Sequence, residues 1–183
     1  MPTVVVEDGT GLANANAYIS EADADTYHAN RGNASWAAAD QADKEAALIQ
    51  AADFMVQRYR HRWLGVRTKS AQALDWPRAG VVTERVLDAS VVVPTIQDVD
   101  SHIIASNVVP EDIRRANAEL ALRSLTTTLN PDLTRSDDVK REKVDVIEVE
   151  YKDRARTGTT FAAVDDALRV YMRPVGTVAL LRG

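Results

Sequence analysis

Apolar residues recur at helical spacing over two long stretches of the chain. From about Asp40 to Tyr59, an alanine-rich segment without glycine or proline carries a broad apolar stripe that continues to Trp63. A second stripe follows Pro110 and ends before residue 130, where an Asn-Pro pair stops it. These two segments predict the main helices of the fold.

Two shorter helices are predicted near the ends of the chain. Ser20 has the features of an N-cap, with Asp23 at capping-box distance, and Gly32 provides a left-handed stop after residue 30. A final helix is predicted from about Phe161 to Met172, because apolar residues again recur every three or four positions there.

Other stretches favour extended structure. Residues 139–152 alternate between apolar and polar side chains, which predicts a β-hairpin, and residues 81–109 show no helical period. A β-branched run closed by a glycine-rich turn makes residues 1–12 a predicted extended arm. Pro174 ends the last helix, so residues 174–183 are a predicted C-terminal tail. The predicted fold is therefore mainly α. It is a single domain over 1–183, a small bundle of about four helices with a β-hairpin and extended terminal arms.

Composition excludes several classes of chemistry. The chain has no cysteine, and His28, His61 and His102 are not at metal-ligand spacing, so we expect neither a metal site nor a cofactor. The Gly9–Gly11 turn lacks the later residues of a phosphate-binding loop, and no nucleophile motif occurs. Without such motifs we expect a protein that is not an enzyme. No segment has the features of a signal peptide or a membrane span, so we expect a cytosolic protein.

Charge is unevenly distributed along the chain, whose net charge is −5. Residues 1–57 carry two basic and nine acidic side chains, whereas residues 58–85 carry seven basic and two acidic ones. This segregation favours contact between copies of the chain or with phosphate, although a solvated face with internal ion pairs fits it equally well. The candidate inter-subunit or DNA-channel residues are Arg58, Arg60, Arg62, Arg67, Lys69 and Arg78.

The same region contains two of the three tryptophans. Basic and aromatic residues interleave from Arg58 to Trp63, a composition typical of single-strand nucleic-acid binding. Tyr59 and Trp63, however, continue the apolar stripe of the preceding helix, which favours core positions for both rings. The predicted structural anchor of this region comprises Trp63, Leu74, Trp76, Pro77 and Gly80.

The sequence resembles that of a known family. The segment WLGVRTKSAQALDWPRAG, from Trp63 to Gly80, is similar to that of small head–tail connector (adaptor) proteins of long-tailed bacteriophages. The opening TVVVEDGTGLANANAYIS, the helix start at Val109-Pro110 and the segment from Val139 to Tyr151 resemble the same group. Related sequences also carry a DnaT-like single-stranded-DNA-binding label.

The resemblance implies a structural protein of the virion, made in the host cytoplasm and located at the head–tail interface. It implies a helical protomer that assembles with copies of itself as a ring, a dodecamer, beneath the portal protein. Such a ring would extend the channel for passing double-stranded DNA without recognising its sequence, and would dock the next neck or tail protein. The alternative is a DnaT-like single-stranded-DNA-binding or replication accessory protein.

Overall fold

The computed structural model describes residues 2–85, 101–131, 141–144, 147–150 and 160–173. Within these residues the elements in chain order are five helices and six short strands: α1 (Glu21–Ala29), α2 (Ala34–Ala37), α3 (Gln41–Tyr59), β1 (Val66–Arg67), β2 (Arg78–Ala79), β3 (Val82–Arg85), β4 (Ser101–Ile103), α4 (Glu111–Ser124), β5 (Arg141–Val144), β6 (Ile147–Glu150) and α5 (Ala162–Leu168). A 3-10 turn, Arg169–Tyr171, follows α5.

Helices α3 and α4 form the centre of the core. α3 buries one alanine-rich face, including Leu48 and Met55, and α4 buries Ile113 and Leu120 against it. The buried Asn117 of α4 links the two helices, because its Nδ2 donates to the Leu48 carbonyl of α3 at 3.0 Å. The two main helices predicted from the apolar stripes are confirmed.

Two helix boundaries differ from the prediction, and one helix was not predicted. Pro110 is the N-cap of α4, so the helix begins one residue later, at Glu111. The final helix is shorter than predicted, because α5 tightens into the 3-10 turn after Leu168. The four-residue α2 was not predicted, since so short a helix displays no period and its N-cap, Asn33, makes no side-chain capping bond. Capping of α1 is confirmed, with Ser20 Oγ accepting from the Asp23 amide at 3.1 Å.

The strands form two-stranded antiparallel sheets that pair β1 with β2, β3 with β4, and β5 with β6. The β5–β6 pair falls inside the predicted hairpin, with Val144 opposite Ile147. Helices supply most of the core and the sheets are small. The fold is therefore a small mixed α/β domain, which agrees only loosely with the mainly α prediction.

The N-terminal segment packs on the domain over its described part. Val6 forms a parallel bridge with Ala17, and Glu7 is buried. The Glu7 carboxylate accepts from the amides of Gly9, Gly11 and Leu12 at 2.8–3.0 Å. The described part of the arm is therefore extended up to Glu7, turns around the Glu7 carboxylate over the next five residues, and is held to the body. The predicted C-terminal tail, 174–183, lies outside the described residues, as do residues 86–100 of the predicted irregular segment.

Candidate nucleic-acid interface

The anchor tryptophans lie in the core next to the C-terminal end of α3. Trp63 and Trp76 are buried and meet edge to face, with ring centroids 5.8 Å apart. Tyr59 contacts Trp63 on one side and Tyr171 contacts Trp76 on the other, both in T-shaped geometry. The aromatic rings of the basic segment therefore form a continuous buried row.

The rest of the predicted anchor surrounds this row. Leu74 and Pro77 are buried, whereas Gly80 is exposed and has a φ of 71°. A positive φ favours glycine, so Gly80 allows the chain to turn from β2 into β3. Four of the five anchor residues are thus core residues and the fifth is a turn residue.

One buried carboxylate neutralises part of the basic segment. Asp75 is 1% exposed and accepts from Arg60 Nε at 2.9 Å and from Trp63 Nε1 at 3.3 Å. Its own amide donates to the Tyr18 hydroxyl at 3.0 Å. Arg60 is therefore committed to an ion pair within the chain.

Arg78 is a structural residue. It is 7% exposed, and its guanidinium donates to the carbonyls of Leu64, Gly65 and Asp75 at 2.7, 2.8 and 3.2 Å. Burial lowers the pKa of Arg78 from its usual value. The prediction that Arg78 faces a neighbouring subunit or DNA needs correction, because three backbone carbonyls already occupy its donors.

The remaining basic residues form what we call the basic surface. It lies around the C-terminal end of α3 and along β1, and comprises Arg58, Arg62, Arg67, Lys69 and Arg173. Arg173 joins this surface because its amide donates to the Arg62 carbonyl at 2.7 Å. None of the five forms an ion pair with a carboxylate within the described residues.

The arginines of the basic surface act on nearby groups through their charge. Burial and the hydrogen bond from the Tyr59 hydroxyl to Asp165 raise the pKa of Tyr59, and the charges of Arg58 and Arg62 oppose that rise. The charges of Arg173 and Arg67 likewise add to the lowering of the Arg78 pKa. These four arginines therefore reinforce one another's potential around one end of α3.

Sequence reasoning missed Arg173. It follows Tyr171 and Met172 at the end of the last described segment, far along the chain from α3. The antiparallel bridge between Trp63 and Met172 brings the two regions together. No local sequence signal predicts such a bridge.

Aromatic rings are not available on this surface. Every described Trp, Tyr and Phe ring is buried or half-buried. The half-buried Tyr27 ring is covered by Arg31, whose Cζ lies 3.5 Å from the ring centroid. In the described part of the chain, base stacking of the kind used by many single-strand-binding proteins therefore has no exposed platform.

A separate group of apolar side chains is exposed on the small sheets. Val66 and Ile103 are 65% and 63% exposed, and Val82 is exposed opposite Ile103 in the β3–β4 pair. We call these three residues the apolar sheet surface. Cross-strand partners lie on the same face of a sheet, so Val82 and Ile103 present one apolar patch.

Two other kinds of site are not found in the described residues. No group of three or more His, Asp or Glu side chains there is arranged to hold a metal ion. Nor does any helix in the described ranges have the length and apolar character needed to cross a membrane.

Comparison with known proteins identifies a family. The model of a family described as "Putative DnaT-like ssDNA binding protein" matches residues 2–183. The chain therefore belongs to this DnaT-like family. No curated protein and no solved structure matches the chain.

Proposed function

We propose that this member of the DnaT-like family binds single-stranded DNA through the basic surface. The observation that carries the proposal is the group of four arginines without ion-pair partners, Arg58, Arg62, Arg67 and Arg173, around one end of α3. Arginine pairs with phosphate through charge-assisted hydrogen bonds. The family description supports the same ligand.

The mode of binding is contact with the phosphate backbone. Because every described aromatic ring is buried or half-buried, the described residues offer the bases no exposed ring to stack on. Affinity then depends mainly on phosphate neutralisation, which is independent of base sequence and sensitive to salt. The net charge of −5 opposes binding elsewhere on the molecule and confines the strand to the basic surface.

A charge-removal experiment tests this proposal. The variant Arg58→Ala/Arg62→Ala removes two phosphate contacts, whereas the control Arg31→Ala/Arg115→Ala removes two exposed arginines outside the basic surface. Fluorescence anisotropy with a labelled strand of about 20 nucleotides, longer than the roughly 4–16 that one binding fold covers, measures affinity. We expect the first variant to bind roughly tenfold or more weakly. Equal affinities for the two variants would contradict the proposal.

A second candidate function is the head–tail adaptor, a ring of copies that docks on the portal and on the next neck or tail protein. The observation that favours it is the exposed Val82–Ile103 pair of the apolar sheet surface, because exposed apolar patches mark protein–protein contacts. In such a ring the basic surface would face the acidic N-terminal third of a neighbouring copy or the DNA channel. The role would place the protein in the virion.

Sedimentation velocity separates the two candidates. An adaptor forms a closed ring, alone or on purified portal, and Val82→Ser/Ile103→Ser disperses it, while Val108→Ser, another exposed apolar position, leaves it intact. A protein that stays monomeric with and without portal is not an adaptor. Binding of single strands by that monomer would support the first proposal alone.

A further inference from the structure

A polar cleft lies between α3 and the end of α4. Its volume is about 620 Å³, within the range of small-molecule sites. Gln50, Asp53, Phe54 and Gln57 of α3 line one side, since positions three and four apart share a helix face. Residues that follow α4, including Thr128 and Asn130, line the other side. We call this space the amide cleft.

Most polar side chains of the amide cleft are exposed, and several of them are not engaged by other described residues. The side chains of Gln50, Asp53 and Thr128 form no hydrogen bond to any described residue. Gln57 Oε1 accepts from Asn130 Nδ2 at 3.3 Å. That bond leaves the Nε2 group of Gln57 as a donor and the Oδ1 atom of Asn130 as an acceptor at the cleft wall.

The lining restricts the chemistry of a ligand. The cleft contains no cationic side chain and one carboxylate, Asp53, so it disfavours a phosphate group. An apolar ligand would displace water from the amides and hydroxyls of the cleft and leave them unpaired, and this loss costs free energy. The fitting ligand is therefore uncharged, with donors and acceptors along one edge. A nucleobase has this chemistry.

The position of the cleft connects it to the basic surface. Arg58 lies four residues after Phe54 on α3, so the first arginine of the basic surface borders the helix face that lines the cleft. A strand whose phosphates contact Arg58 and Arg62 would bring a neighbouring base towards the cleft. The side chain of Phe54 provides an apolar floor, although it is almost completely buried.

We propose that the amide cleft accepts a base of the bound single strand, and that it favours bases with an exocyclic amino group. The inference rests on the proposed function. Asn and Gln amides pair with the donor–acceptor edge of adenine, and carboxylates accept from the amino group of cytosine. Thymine offers a carbonyl oxygen at the equivalent position, which the Asp53 carboxylate repels. In this proposal the cleft provides base preference and the arginines provide phosphate binding.

The test compares strands that differ only in their bases. Labelled dA, dC and dT homopolymers and an abasic strand, each of about 20 nucleotides, are titrated against the intact protein at one salt concentration. We expect the dA and dC strands to bind several-fold more tightly than the dT and abasic strands. The variant Gln57→Ala/Asn130→Ala should weaken dA binding roughly three- to tenfold, as expected for the loss of one or two hydrogen bonds, and leave abasic binding unchanged.

Matched variants make the outcomes distinguishable. The control Gln41→Ala/Asn14→Ala removes two exposed amides outside the cleft and should keep the dA and dC preference, and Asp53→Asn should reduce the discrimination against dT. Equal affinity for all four strands, or a preference that survives Gln57→Ala/Asn130→Ala, would overturn the cleft proposal and leave phosphate binding standing. Failure to bind even the abasic strand would overturn the proposed function and this inference with it.

Discussion

His28 of α1 is fully buried and uses both ring nitrogens. Nε2 lies 3.2 Å from the Ala118 carbonyl, so it carries the proton, and Nδ1 lies 2.9 Å from Asn33 Nδ2 and accepts. The ring also packs on Trp36, with centroids 4.5 Å apart. This arrangement fits a neutral imidazole, and burial lowers the pKa of His28 below its usual value.

The neutral state of His28 predicts acid-sensitive stability. The charges of Asp25 and Glu119 favour protonation and that of Arg31 opposes it, but desolvation is the largest effect. In the unfolded chain a histidine titrates near 6.5, so below that pH the unfolded state binds the proton first and stability falls. We expect the urea midpoint to decrease from about pH 7 to about pH 5, above the range where carboxylates titrate.

His28→Gln provides the control for this pH dependence. The variant is less stable at neutral pH. Its urea midpoint should change much less over the same range, because the buried imidazole whose protonation opposes folding has been removed, while the other two histidines are unchanged. An unchanged pH slope in the variant would show that His28 is not the group responsible.

The region from the end of α3 to Gly80 was predicted only in part from the sequence. Helical spacing places Tyr59 and Trp63 on the buried face, and the structure bears this out. The β1–β2 pair was not predicted, because strands of two residues carry no periodicity. The role of Arg78 was also missed, since two of its carbonyl partners lie 13 and 14 residues earlier in the chain.

The contacts of Arg78 predict the effect of a conservative substitution. Lysine keeps the charge but cannot donate to three separate carbonyls with a planar fork. We expect Arg78→Lys to lower the free energy of unfolding by roughly 1–3 kcal/mol, because buried carbonyls lose their donors. Chemical denaturation measures the change, with the exposed Arg58→Lys as the control that has little effect. If the variant has normal stability and has lost only DNA binding, Arg78 is a DNA-contacting residue and not a structural one.

On the scale of the whole molecule, the protein is acidic overall, and its described residues include the basic surface. The sequence predicts this segregation, because the acidic and basic residues occupy successive segments. It does not predict the composition of the surface, since Arg60 and Arg78 are drawn into internal contacts and Arg173 is brought in by a tertiary bridge. The amide cleft likewise depends on the packing of α3 against α4, which no single segment encodes.

The separation of aromatic core from basic surface has a spectroscopic consequence. Trp36, Trp63 and Trp76 are each at most 1% exposed, so a bound strand cannot stack on them. We expect tryptophan emission typical of buried rings and little change in its intensity when single-stranded DNA saturates the protein. Strong quenching on binding would indicate that a tryptophan leaves the core to contact bases.

The salt dependence of single-strand affinity tests phosphate binding by the basic surface most directly. Four arginines, each neutralising one phosphate, predict a slope of log affinity against log salt of about −3, or a roughly 50-fold loss between about 50 and 200 mM salt. Arg58→Ala/Arg62→Ala should halve that slope. An affinity that does not change with salt, or no detectable binding at about 50 mM salt, would contradict the account.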